Sequence, residues 1–287
     1  MKKILFLADL DHNLFQSHRV DPSAIHPMTV DKSGKSHCFA TDAQKTLLSL
    51  FTENAFCVSV TARNPDQMMR VTGWSTSQSN DLALTDLGMT LLHRKDKGQW
   101  SPVPEWSNEY LNIAKGKSIG VQVDYSQLKD ALENEFGESK PGISTHMTMC
   151  FESPETPYYF LIKVEQGLCD SPSSMEMREA CDKFLKECQG DYFYHESEGV
   201  FAFWPTYISK EIAVQRLLES FGQDLGSKAF NDASYEKGKI DLIVSSGDSL
   251  SDLGFMNAAH FWMTPSISQI SSSIGINSVL TPLDYKD

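Results

Sequence analysis

A chain of 287 residues is long enough for one large domain or two modest ones. Hydrophobic residues make up 40% of it and charged residues 22%, an ordinary globular composition that excludes disordered, collagenous and coiled-coil classes. With 25 Lys and Arg against 38 Asp and Glu the net charge is −13, so most of the surface repels nucleic acid and anionic lipid, and neither is expected as a partner.

The N-terminal run MKKILFLADLD begins like a signal peptide, but its apolar stretch lasts only from Ile4 to Leu10, is interrupted by Asp9, and is followed by Asp11 and His12. It reads instead as a buried central strand, Ile4–Ala8, ending at acids. Residues 15–40 are polar and irregular, with Pro22, Pro27 and Gly34, and are expected to form a flap or lid over that strand end. Thr41 and Gln44 have capping-box spacing and open a helix through Phe51; Phe56–Thr61 is a second strand, a helix is expected near 66–72, and short strands lie around Gly88. This opening predicts a doubly wound parallel α/β sheet.

The pattern then changes. Two helices are expected at about 105–117 and 125–136, then strands His146–Phe151 and Tyr158–Val164, a helix Ser174–Cys188, and strands Tyr192–Glu196 and Val200–Trp204 joined at Glu198-Gly199. These alternating strands imply an antiparallel α+β unit, residues 96–204, inserted between core segments 1–95 and 205–287. The parallel pattern resumes with a helix capped by Ser209 with Ile212, Ala213, Leu217 and Leu218 on one face, a strand Ile240–Val244 ending at SSGD, and a last strand Phe261–Met263. No stretch approaches the ~18 apolar residues of a membrane span. The six cysteines lack any CxxC pair and are read as core thiols, with a cytoplasmic location expected. The aromatic segment 192–204 is most simply the core face of the inserted sheet, and the run HRKDK at 93–97 a solvated turn.

Chemistry concentrates where strands and helices end, the place where open α/β sheets collect ligands. Asp9 and Asp11 follow the first strand, Thr61 ends the second, Asp248 and Asp252 follow a later one, and Lys210 stands at a helix start. Each alone is unremarkable: an Asp at a strand end is usually a helix cap, a lone Lys a solvated surface group. Together they supply what phosphoryl transfer requires, namely a carboxylate nucleophile, groups that neutralise phosphoryl oxygens, and a proton donor. Clustered carboxylates with oxygen-only ligands suit Mg²⁺.

The set resembles the motifs of the haloacid dehalogenase-like (HAD) phosphohydrolase superfamily: Asp9-Leu-Asp11-His-Asn13 after a hydrophobic strand, Thr61 in SVTAR, Lys210 in YISKEIAV, and Gly247-Asp-Ser-Leu-Ser-Asp252. The insertion between the second and third motifs resembles the large type IIB cap of Cof-type and sucrose-phosphate phosphatase-like members. The resemblance implies Asp9 as nucleophile and Mg²⁺ ligand, and Asp11 as general acid/base with its carbonyl a further ligand. It also implies phosphoryl binding by Thr61 and Lys210, Asp248 as second metal carboxylate, and Asp252 as outer support or an additional ligand. Arg63 is expected to touch the substrate phosphate or leaving group. Asn13 stands where Thr or Val is usual, His12 where Gly or Asp is common, and Ser251 where Asn is frequent. The expected partner is a small phosphorylated metabolite, with sugar phosphates suggested by the subgroup and closure of the inserted unit about linkers near 92–98 and 204–208. A phosphomutase on the same core, or a binding protein that has lost the chemistry, are the alternatives. Substrate and oligomeric state stay open.

Overall fold

The computed structural model describes residues 3–74, 80–95, 98–136, 142–164, 172–188, 191–197, 199–221 and 240–275. Elements before the insertion are β1 (Ile4–Ala8), β2 (His26–Pro27), β3 (Phe39–Ala40), α1 (Asp42–Asn54), β4 (Phe56–Val60), α2 (Pro65–Met68), β5 (Asn80–Thr85), β6 (Thr90–Lys95) and β7 (Ser101–Pro102). The middle of the chain forms α3 (Pro104–Phe136), β8 (Ile143–Cys150), β9 (Ser153–Val164), α4 (Pro172–Glu187), β10 (Tyr192–Ser197) and β11 (Val200–Pro205). The last part supplies α5 (Lys210–Ser220), β12 (Leu242–Ser246), α6 (Leu253–Met256), β13 (Phe261–Met263) and α7 (Gln269–Ser273). Two compact units result: Met1–Ser107 with Ser209–Asp287, and Asn108–Ile208.

The first unit is built on a seven-stranded sheet in the order β13-β12-β1-β4-β5-β6-β7. Strands β13 through β5 are mutually parallel, and β6 and β7 add antiparallel at one edge. β1 and β4 are buried along nearly their whole length, as sequences ILFLA and FCVSV must be when both faces of a parallel sheet are covered. From β1 the chain winds outward through β4 and β5, then returns to lay β12 on the other side. The winding therefore reverses beside β1, and the carboxyl edge there is the place for a ligand crevice. Phe6 of β1 stacks on Phe51 of α1 at 4.0 Å, which fixes that helix against one face. Thr41 closes the expected capping box with Gln44.

Residues 15–40, expected as a flap or lid, are stitched to the core. Phe15, Ala24, Met28, Cys38 and Ala40 are buried, Gln16 and Phe39 exchange backbone hydrogen bonds, and the Val30 N–H donates to the Arg70 carbonyl at 3.0 Å. The apolar residues of this segment follow neither a helical nor a strand period, which is why pattern alone leaves it looking like a free loop.

In the second unit a four-stranded antiparallel sheet, β10-β11-β9-β8, carries α3 and α4 on its apolar face. Alternate residues of β9 (Phe160, Ile162, Val164) and β11 (Phe201, Phe203) meet Val121, Leu128 and Leu132 of α3 and Met177, Cys181 and Phe184 of α4. The two helices expected at 105–117 and 125–136 are one 33-residue helix. Gly116 and Gly120 suggest a break, but the stripe Val121, Tyr125, Leu128, Leu132 holds the helix onto the sheet. Tyr192, Phe201 and Phe203 belong to this core, whereas Phe193 is 43% exposed. Ile212 of α5, expected on the buried face, is exposed, and Val214 takes its place in the core. Cys38, Cys57, Cys150 and Cys181 are buried free thiols; Cys169, Glu198 and the end of the HRKDK run, Asp96 and Lys97, lie outside the described residues. Among the described residues no helix is long and apolar enough to cross a membrane.

Candidate active site

Parallel register assembles the site. Ala8 of β1 pairs with Ser59 of β4 and with Ser246 of β12. Asp9, Thr61 and Asp248, the first residues with chemistry beyond those pairs, therefore leave the sheet at one carboxyl edge. The Asp9 N–H extends the ladder by donating to the Ser246 carbonyl at 2.9 Å, which fixes its backbone. Asn13, the departure noted in the first motif, is buried and braces this edge: its amide donates to the Asp9 carbonyl at 2.8 Å and its carbonyl accepts from the Ser246 hydroxyl at 2.7 Å. No charge marks Asn13 in the sequence; its only signal is a side chain with both a donor and an acceptor directly after two acids. His12 beside it sits at φ 58, in the left-handed region where a glycine is unstrained.

Lys210 comes from the other side. Ser209 caps α5 by accepting from the Ile212 N–H, so Lys210 is the first helical residue. The helix can approach because Gly88, at φ 97, has no side chain: a Cβ there would lie 2.0 Å from the Cβ of Ala213. The Lys210 Nζ donates to Asp9 Oδ1 at 2.8 Å and to Asp252 Oδ1 at 2.7 Å, with all three residues buried. The other oxygen of Asp252 accepts from the Asp248 N–H, the Ser249 N–H and the Ser249 hydroxyl. Gly247 is needed for the same reason as Gly88, since a Cβ would come 2.7 Å from the Cβ of Asp252. Ser251 is exposed, and its hydroxyl pairs with that of Ser249, which in turn donates to Asp252.

Asp9, Asp248 and Asp252 each offer a carboxylate oxygen within 4.8 Å of the others. Three carboxylates against one ammonium leave two negative charges in a buried place. The electrostatics register that excess. Burial, reinforced by Asp252 and Asp248 and opposed by Lys210, raises the Asp9 carboxyl well above its ordinary range. Burial and Asp252 push Asp248 up to about 7. Burial would also raise Asp252, but Lys210 and the Ser249 donors outweigh it and lower its pKa. Burial works against the Lys210 ammonium, yet Asp252 and Asp9 hold its pKa above the usual lysine value. An oxygen-only donor set with two surplus negative charges fits a hard divalent cation such as Mg²⁺. The hydrogen bonds separate the acids: Asp252 is engaged through both oxygens, whereas Asp9 and Asp248 keep carboxylate capacity for an ion.

Asp11 stands apart from that cluster. Its two oxygens accept from Arg63 Nε and Nη2, both at 2.7 Å, and the guanidinium lies over the Phe15 ring. Arg63, expected on substrate phosphate or leaving group, is thus bound to the proposed acid/base group. Thr61 is buried at the end of β4, where its hydroxyl accepts from the Arg63 N–H at 3.1 Å and its own N–H donates to the Leu84 carbonyl. His26, in the segment over this edge, bonds Asp42 at 2.6 Å.

No family model and no curated protein matches the chain. Solved structures do. The C-terminal domain of trehalose-6-phosphate phosphatase from C. albicans is similar over 98% of this chain and 80% of its own, with TM-score 0.52 and 15% identity. An N-terminally truncated IMP-nucleotidase from Plasmodium falciparum is similar over 97% of this chain and 70% of its own, with TM-score 0.51 and 10% identity. At such identities the likeness speaks to architecture, and it spans both the sheet unit and the insertion. The chain shares the fold of these solved structures, a mostly parallel core sheet with a separate antiparallel insert, which is the architecture that the haloacid dehalogenase-like resemblance implies.

Proposed function

We propose that the protein is a Mg²⁺-dependent phosphatase that hydrolyses a small phosphorylated metabolite, sugar phosphates being the first class to test, through an aspartyl-phosphate on Asp9. The observation that carries this reading is the Lys210 ammonium bridging Asp9 and Asp252 at 2.8 and 2.7 Å, with Asp248 within ligand distance of both acids. In this reading the sheet unit is the catalytic core and the inserted unit its cap. The buried free thiols suit a reducing compartment, where we place the protein.

An Asp9 oxygen attacks phosphorus, and the bond from phosphorus to the substrate oxygen breaks as the new bond forms. Asp11, two residues after Asp9, delivers a proton to the departing oxygen. Because both Asp11 oxygens are held by Arg63, that delivery requires one of them to be released. In the second step Asp11 takes a proton from water, whose oxygen attacks phosphorus and breaks the bond to Asp9, releasing inorganic phosphate. Lys210 and Thr61 hold the transferring oxygens, and Asp252 keeps Lys210 in place. A cation held by Asp9, Asp248 and the Asp11 carbonyl would supply the charge that keeps Asp9 ionised and neutralises the phosphoryl group.

The test is phosphate release from p-nitrophenyl phosphate and a panel of sugar phosphates with Mg²⁺, comparing the natural chain with Asp9→Asn. The amide removes the nucleophile with little change of shape, so turnover is expected to fall by roughly 10³-fold or more with circular dichroism unchanged. Full activity in Asp9→Asn would refute the nucleophile. Isomerised ester without free phosphate would identify a mutase, and no turnover of any ester would leave a binding protein.

A further inference from the structure

Beside Asp11 lies a cavity of about 320 Å³ lined by Asp11, Asp31, Lys32, His37, Arg63 and Arg70 among others. That is the small end of the range of ligand pockets, ~300–1,000 Å³. Its walls come from three pieces of chain: Asp11 after β1, residues 30–37, and residues 63–70. Residues 29–37 are held by a turn in which Asp31 accepts from the Ser33 and Lys35 N–H groups. The segment after α2 is tied to it by the bond from the Val30 N–H to the Arg70 carbonyl and by the bridge between Thr29 and Val71. The charges are lopsided. Asp11 is already matched by Arg63, and Asp31 stays a charged carboxylate with one oxygen bonded to its own turn. Lys32, Arg70 and the His37 ring have no acidic partner among the described residues. A lone lysine of this kind would be an ordinary solvated group. With Asp31 counted, Lys32, Arg63 and Arg70 face Asp11 and Asp31, and His37 adds a further nitrogen, so beside the candidate acid the lining carries a small positive excess in a chain of net charge −13.

We propose that this cavity binds a second anionic group on the substrate's alcohol portion, a carboxylate or a further phosphate, with Arg70 and Lys32 as the specificity-determining cations and His37 as a third donor. The inference rests on the phosphatase reading for the identity of the neighbouring site and names the substrate class: phosphate monoesters of acidic alcohols rather than of neutral sugars. Arg70 is half-buried and its guanidinium can fork onto either anion. Arg63, shared between Asp11 and the cavity, is the group through which an arriving anion would draw on the Asp11 pair.

Matched esters separate the two ideas. 3-Phosphoglycerate against glycerol 3-phosphate tests a carboxylate, and fructose 1,6-bisphosphate against fructose 6-phosphate tests a second phosphate. The acidic member of at least one pair is expected to have the higher kcat/KM by about tenfold or more, carried by KM. Arg70→Gln and, separately, Lys32→Gln are expected to shrink that ratio several-fold. Binding to Asp9→Asn by calorimetry gives the same comparison without turnover: the favoured acidic ester should bind about tenfold tighter than its neutral mate, and Arg70→Gln should erase the difference. Hydrolysis of neutral and acidic esters alike, with no change of ratio in either variant, would overturn the cavity's role and leave the phosphatase standing. Loss of turnover for every ester with the binding preference intact would do the reverse. Equal binding of both members of each pair would overturn the inference whatever the turnover.

Discussion

Lys210 shows how much a single side chain decides here. Its ammonium has left water to sit between two carboxylates, and in that setting each group is tolerable only because of the others. Lys210→Met keeps the volume and removes the charge, so Asp9 and Asp252 are left buried and uncompensated. The expected cost is roughly 3–5 kcal/mol of unfolding free energy in the metal-free protein. Lys129→Gln is the natural control, since Lys129 meets Glu133 one turn along α3 at 3.6 Å with both side chains substantially exposed. It is expected to cost less than ~0.5 kcal/mol. Urea denaturation of both variants decides the matter: comparable losses would mean that Lys210 is not held as described. His12 marks a different economy, a left-handed residue between Asp11 and Asn13, in the kind of backbone geometry that persists where a site over-determines it.

At the scale of elements, legibility in the sequence follows the reach of the forces involved. β1 and β4 could be read directly because both faces of a parallel strand are buried, which forces an unbroken apolar run. The capping box at Thr41 and Gln44 could be read because it is chemistry between residues three apart. The motif acids and Lys210 could be read as a set, but their division of labour could not. Nothing local says that Asp252 would be used up by Lys210 and Ser249, or that Arg63 would grip Asp11. The helix α3 was illegible for a similar reason. Its central stretch, with Gly116, Gly120, Val121 and Val123, has weak helical propensity, and only contact with a sheet formed later in the chain keeps it continuous. Both glycines are exposed, have helical backbone without positive φ, and face open space where a Cβ would go. Gly116→Ala and Gly120→Ala should each stabilise by about 0.5–1 kcal/mol, read as a higher denaturation midpoint with undiminished helical ellipticity. A helix truly broken between 117 and 125 would gain nothing or lose stability.

For the molecule as a whole, the sheet's contribution is to hold acids far apart in sequence against their own repulsion, and that repulsion is measurable as a dependence of stability on pH and metal. Asp248 has its pKa pushed from the ordinary 3.8 to about 7, by burial first and by Asp252 second, and Asp9 is raised by the same causes. A carboxyl raised on folding binds its proton more tightly in the folded state than in the unfolded one. Its contribution to stability is therefore complete below the unfolded pKa and is lost as pH rises through the folded value. The metal-free protein should accordingly lose thermal stability between about pH 4 and pH 7, the window set by Asp248. A divalent cation held by these acids would take over the work of those protons, and it would bind only where they have left. Saturating Mg²⁺ should thus raise the melting temperature more at pH 8 than at pH 5.5, and its apparent affinity should weaken as pH falls below 7. Lys210→Met should steepen the pH dependence, because the same acids then lack their internal cation. Calorimetric melting at the two pH values, with EDTA and with Mg²⁺, reads all of this in one experiment. A Mg²⁺ shift that is equal at both pH values, or larger in acid, would show that the ion does not exchange with protons at Asp9 and Asp248, and the site would then have to hold its charges by some other means.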